Sequence, residues 1–101
     1  MIDREKLKSL LGDESMVDRM IDIFQSETPG QLSELSQAIE AGDWSNASIL
    51  AHTIKSQVAY LGLDYAVSLA REIEHKADQE KDLNSLAGLA DALDSELQPF
   101  L

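Results

Sequence analysis

Apolar side chains recur along the chain in steps of three and four residues, and no stretch alternates with the two-residue period of a half-buried strand. Leu83, Leu86, Ala90, Leu93 and Leu97 form one such series, and Ala47, Ala51, Ile54, Val58 and Leu61 form another. Leu32, Leu35 and Ile39 mark a third, and Leu69, Ala70, Ile73 and Ala77 a fourth. Steps of this size return to the same side of an α-helix, so each series is the inward stripe of an amphipathic helix. Breaks between the stripes carry their own signals. Gly12-Asp13 and Gly42-Asp43 each pair a glycine stop with an aspartate able to cap the next helix. Thr28-Pro29-Gly30-Gln31 has the form of a capping box with proline at the first helical position. Gly62 and the polar Glu80-Lys81-Asp82 supply two further breaks. The pattern predicts helices over about 3 to 11, 13 to 27, 28 to 41, 43 to 61, 64 to 79 and 82 to 98. Short connections make consecutive helices antiparallel neighbours. The expected fold is therefore all-α, an antiparallel four-helix bundle from residue 28 onward with one or two N-terminal helices packed across one end or side.

At 101 residues with 44% hydrophobic positions, the sequence suits a single domain spanning residues 1 to 101. Charge narrows the set of partners. Lys and Arg total 8 against 19 Asp and Glu, a net charge of -11, and such a field repels nucleic-acid backbones and anionic lipid. Neither a nucleic acid nor a membrane is expected as a partner. With 0 cysteines there is no disulfide, thiolate metal site or cysteine nucleophile. The apolar runs are too short for a membrane span, and Ile2-Asp3-Arg4-Glu5-Lys6 lacks the apolar core of a signal peptide, so a cytoplasmic setting is expected.

Candidate chemistry then rests on the 2 histidines, His52 and His75. On its helix His52 points about 140° away from the centre of the apolar stripe, towards solvent. Ser48 and Ser56 stand one turn to either side, with Ala59 two turns on, so the strip around the ring is small and flat. Between Arg19 and Arg71 the only basic residue is Lys55, one turn from His52 and expected to point outward. A neutral imidazole can attack an electrophilic phosphorus, and a fixed ammonium can stabilise the phosphoryl oxygens. His75, among Arg71, Glu72, Glu74 and Lys76, looks like part of an ordinary solvated face. Glu72-Ile73-Glu74-His75 contains a Glu-x-x-His spacing, but a di-iron site needs two such motifs facing inward, so no metal is expected. A hydrolase built on Ser48 or Ser56 is also disfavoured, since no acid is spaced to orient the ring. Met16, Met20, Ile23 and Phe24 form a broad apolar surface that is expected to be mostly core.

Ala51-His52-Thr53-Ile54-Lys55-Ser56-Gln57-Val58-Ala59-Tyr60-Leu61-Gly62 resembles the signature of histidine-containing phosphotransfer (HPt) domains, roughly A-H-x-L-K-G-x-x-x-x-L-G. Ala41-Gly42-Asp43-Trp44 is similar to the usual entry to the histidine helix, and Leu69 through Glu74 to the next helix of that family. The resemblance implies that His52 accepts a phosphoryl group from a receiver-domain aspartate and passes it to another. It also implies that Lys55 stabilises that group, and that Ser48, Ser56 and Ala59 lie where a receiver docks. One or two of the apolar residues from Met16 to Phe24 would join them. Ser56 stands where the family most often has glycine, and Gln57 where a small residue is common. Implied partners are response-regulator receiver domains, a hybrid sensor histidine kinase, or both. No cofactor is implied, and the catalytic magnesium apparatus would belong to the receiver, making this chain a phosphocarrier and not an enzyme. The alternative is a helical adaptor or inhibitor that binds through the same face with His52 unmodified.

Overall fold

Three aspartates start the first three helices in the same way. In a computed structural model that describes residues 2–101, Asp3, Asp13 and Asp43 each accept a hydrogen bond from the backbone N–H three residues on, at 3.0, 2.9 and 3.2 Å. Each satisfies one of the unpaired amides at a helix start. The helices so begun are α1 (Arg4–Leu11), α2 (Glu14–Glu40) and α3 (Trp44–Tyr60). They are followed by α4 (Asp64–Gln79), a 3-10 turn over Leu83–Ser85, α5 (Leu86–Leu97) and a closing 3-10 turn over Gln98–Phe100. All the regular structure is helical, with no strand among the described residues.

The expected boundary at residue 28 is absent. Residues 13 to 27 and 28 to 41 form one helix of 27 residues that runs through Pro29, so a single extra helix, α1, precedes the bundle. The capping box does not operate: Thr28 is fully buried, and its hydroxyl oxygen and the Gln31 side-chain oxygen have no hydrogen-bond partner among the described residues. Burial explains the continuity. Phe24, Thr28, Leu32, Leu35 and Ala38 lie inside along one stripe that crosses the proline without a break. Packing of that stripe outweighs the local propensity of Pro29-Gly30. The last helix also starts later than expected. Asp82 has a left-handed backbone (φ 51) and makes no side-chain cap; its carboxylate instead accepts from Lys76 Nζ at 2.8 Å. Leu83 is accordingly only half-buried, while Leu86, Ala90, Leu93 and Leu97 are buried as expected.

Helix α3 packs against α2 and α4, and α5 against α4 and α2, which closes a four-helix bundle; the molecule as a whole is 42 Å long and 20 Å across. Its core is aliphatic, with Leu35, Ile54, Val58, Leu61, Ile73, Leu86 and Leu93 fully buried. Helix α1 lies outside this ring. Arg4 pairs with Glu14 at 3.0 Å and Asp18 at 2.6 Å, which ties α1 to α2. Its leading residues also reach the C-terminal end of α3, where Asp3 N–H donates to the Leu61 carbonyl at 2.9 Å and Lys6 Nζ to the Ala59 carbonyl at 3.1 Å. Gly62 permits this approach, having φ of 74 and a position where a Cβ would stand 2.8 Å from Asp3 Cβ. Among the described residues no helix is long and apolar enough to cross a membrane.

Candidate functional site

The tight turn at Leu61, Gly62 and Leu63 sets the register of α3 against α4. Counting about eleven residues outward on each side, at about 1.5 Å per residue, brings His52 level with Glu74. Their side chains meet: His52 Nδ1 lies 2.8 Å from Glu74 Oε2. Lys55, one turn along α3, donates from Nζ to Glu74 Oε1 at 2.6 Å. One carboxylate thus holds both the imidazole and the ammonium. The expectation that no acid orients the ring is corrected here, because the acid comes from the neighbouring helix. Lys55 likewise does not point freely outward; it is 24% exposed, as is Glu74, whereas the His52 side chain is 59% exposed.

This geometry fixes the tautomer of the neutral ring. An ionised carboxylate can only accept, so Nδ1 carries the hydrogen and donates it, leaving the lone pair on Nε2. Burial pushes the Glu74 carboxyl up, but hydrogen bonds from Lys55 and His52 together outweigh it and hold the group below its ordinary value of 4.5. A lowered carboxyl pKa stabilises the fold above the unfolded value, and that contribution disappears as pH falls through the folded value. The Glu74 carboxyl carbon, followed by NMR against pH, is expected to titrate with a midpoint below 4.5. A midpoint at or above that value would mean that the bridge to Lys55 and His52 does not persist in solution.

The other predicted residues fall around this centre. Ser48 is half-buried, not part of an open strip, and its hydroxyl points to the Glu74 carbonyl at 3.4 Å. Ser56 is exposed, with its hydroxyl returned to the His52 carbonyl at 3.1 Å, so its side chain adds little bulk beside the ring. Ala59 is half-buried and continues the face towards Lys6. Ile49, 62% exposed and one turn before His52, places an exposed apolar side chain on the same helix, one that its spacing in the sequence did not mark. On α2, Phe24 is core and Met20 half-buried, while Met16 and Ile23 remain exposed. His75 is exposed and borders a groove with Ser48, Lys55, Arg71, Glu74 and Asp78. Lys55, solitary in sequence, is therefore not solitary in space, because folding brings Arg71 and Lys6 to the same region.

The described residues thus form an all-helical bundle with an exposed, carboxylate-bound imidazole beside a lysine. A protein-family model, the Hpt domain, matches residues 19–99. The chain belongs to the Hpt domain family, whose members carry phosphoryl groups on histidine in phosphorelays and exchange them with receiver domains. No curated protein and no solved structure matches the chain.

Proposed function

We propose that residues 1 to 101 act as one phosphocarrier module in which His52 is the phosphoacceptor, exchanging a phosphoryl group between receiver-domain aspartates. The observation that carries this assignment is the exposed His52 ring, held at Nδ1 by Glu74 with Nε2 left open and Lys55 bound to the same carboxylate. In the forward step the Nε2 lone pair attacks the phosphorus of an aspartyl phosphate. The N–P bond forms as the P–O bond breaks, and the aspartate leaves as a carboxylate. Because Nδ1 keeps its hydrogen, the phosphorylated ring is cationic, and the Glu74 carboxylate faces that charge. A cationic ring is a good leaving group, so the same contact serves onward transfer to a second aspartate. Lys55 supplies a positive charge one turn from the ring for the phosphoryl oxygens. The magnesium chemistry belongs to the receiver, and the chain has no turnover of its own. Donors and acceptors of this kind imply a cytoplasmic setting.

The test is incubation with a phosphorylated receiver domain from the source organism. Acid-labile, alkali-stable phosphate is expected on the peptide carrying His52 and none on that carrying His75. Label on His75 would overturn the assignment. Stable binding of receivers with no transfer from any of them would instead establish the adaptor role, with His52 unmodified.

A further inference from the structure

Residues 2 to 18 precede the stretch matched by the Hpt domain, yet α1 is attached to the histidine helix itself. Lys6 Nζ sits on the Ala59 carbonyl, and Ala59 lies seven residues beyond His52. Seven residues are two turns, so Ala59 falls on the His52 side of α3, about 10.5 Å along the axis. An interface of standard size covers about 800 Å² per partner, a disc of roughly 16 Å radius. Transfer requires a globular partner to bring its aspartate within bonding distance of Nε2, so a disc of that size has to be centred near His52. By this count Lys6 Nζ, 3.1 Å from the Ala59 carbonyl, falls towards the rim of such a disc. The residue is exposed, and Leu10, four residues on and therefore on the same side of α1, is 56% exposed.

We infer that α1 is part of the receiver-docking surface, with Lys6 acting as a specificity-determining cation for receivers that carry acidic side chains around the phosphoacceptor aspartate. This rests on the phosphocarrier role proposed above. Charge supports the choice of partner. The chain as a whole, at -11, repels an acidic surface, so the cations that accompany His52 decide where and in which orientation such a surface can land. Lys55 is paired with Glu74 and, in the role proposed above, faces the phosphoryl group and not the partner's surrounding side chains. Lys6 meets only a neutral carbonyl among the described residues, and its charge remains available to a partner. Capping the C-terminal end of α3 is the competing role for this lysine, and it predicts different behaviour on substitution.

The experiment compares wild type with Lys6→Glu and Lys6→Arg in the full chain, using the receiver domain that labels His52. Lys6→Glu is expected to raise the Kd for that receiver about fivefold, with the difference shrinking as salt is added, and Lys6→Arg to keep the wild-type value. Labelling of His52 by phosphoramidate, a donor too small to reach α1, should be the same in all three. An unchanged Kd in Lys6→Glu would overturn the inference. So would an equal loss of phosphoramidate labelling together with a lower melting temperature, which would mark Lys6 as a cap only. If neither phosphoramidate nor any receiver labels wild-type His52, the phosphocarrier role falls and this inference with it.

Discussion

A His52→Gln variant is expected to accept no phosphoryl group, and a Glu74→Ala variant to accept it about a hundredfold more slowly than wild type, with both folded. Glutamine fills the space of the ring but has no nucleophilic nitrogen, so the first result follows directly from the transfer chemistry. The second depends on geometry. Without the Glu74 carboxylate the ring keeps neither its fixed orientation nor its preference for hydrogen on Nδ1, and neutral rings with hydrogen on Nε2 would then present the wrong nitrogen. The charge that faces the phosphorylated ring is lost as well, and Lys55 loses the partner that holds it near the site. Glu74→Gln separates these effects, because its amide oxygen can still accept from Nδ1 without carrying charge. Its rate should fall between wild type and Glu74→Ala. Both Glu74 variants should remain folded but melt below wild type, since the Lys55 and Glu74 side chains are each only 24% exposed and their pairing is lost, while the more exposed His52 arm contributes little. Stopped transfer assays with one phosphorylated receiver, read alongside thermal melts, would decide it. Wild-type transfer by Glu74→Ala would remove Glu74 from the mechanism.

The inward faces of the helices were legible in the sequence because burial repeats every three or four residues and needs no knowledge of the neighbours. Ala47, Ala51, Ile54 and Val58 are buried as their spacing requires, and the same spacing puts His52 outside. The aspartate caps at positions 13 and 43 were legible for a related reason: donor and acceptor lie three residues apart on one chain. Glu74 was not, because a bond from α3 to α4 depends on the register between two helices, and within α3 no acid stands near His52. The signal that could have found it is the short turn at Gly62, from which residues can be counted outward to see which acid on α4 comes level with the ring. Lys6 is farther beyond reach, since its place at Ala59 follows from how α1 folds back over the end of α3. At Pro29 the local signal was strong and pointed the wrong way. Thr-Pro-Gly-Gln has the composition of a helix start, but the buried stripe from Phe24 through Ala38 fixes a continuous helix.

That override has a measurable consequence, because a helix that continues through proline carries a local cost. Pro29 has no N–H, so the carbonyl of Gln25 receives no helical hydrogen bond from it, and proline in a helix interior is about 3 kcal/mol less favourable than alanine. Part of this is offset, since proline also restricts the unfolded chain by up to about 1 kcal/mol. Pro29→Ala is therefore expected to stabilise the protein by about 2 kcal/mol, raising the melting temperature by roughly 8 to 16 °C in a domain of this size. Gly30→Ala should add to it by about 0.5 to 1 kcal/mol, because a Cβ there meets no atom within 4 Å. Thermal unfolding followed by circular dichroism checks both. A melting temperature at or below that of wild type for Pro29→Ala would show that the proline fits its surroundings better than the lost hydrogen bond suggests. Transfer through His52 should not change in either variant. Pro29 borders a groove with Ala90, Asp91 and Asp94 between α2 and α5, whereas His52, Lys55 and Glu74 lie between α3 and α4. Stability gained at Pro29 and rate lost at Glu74 should consequently be independent, and a Pro29→Ala, Glu74→Ala double variant should show both in full, its melting temperature offset only by the loss that Glu74→Ala causes alone.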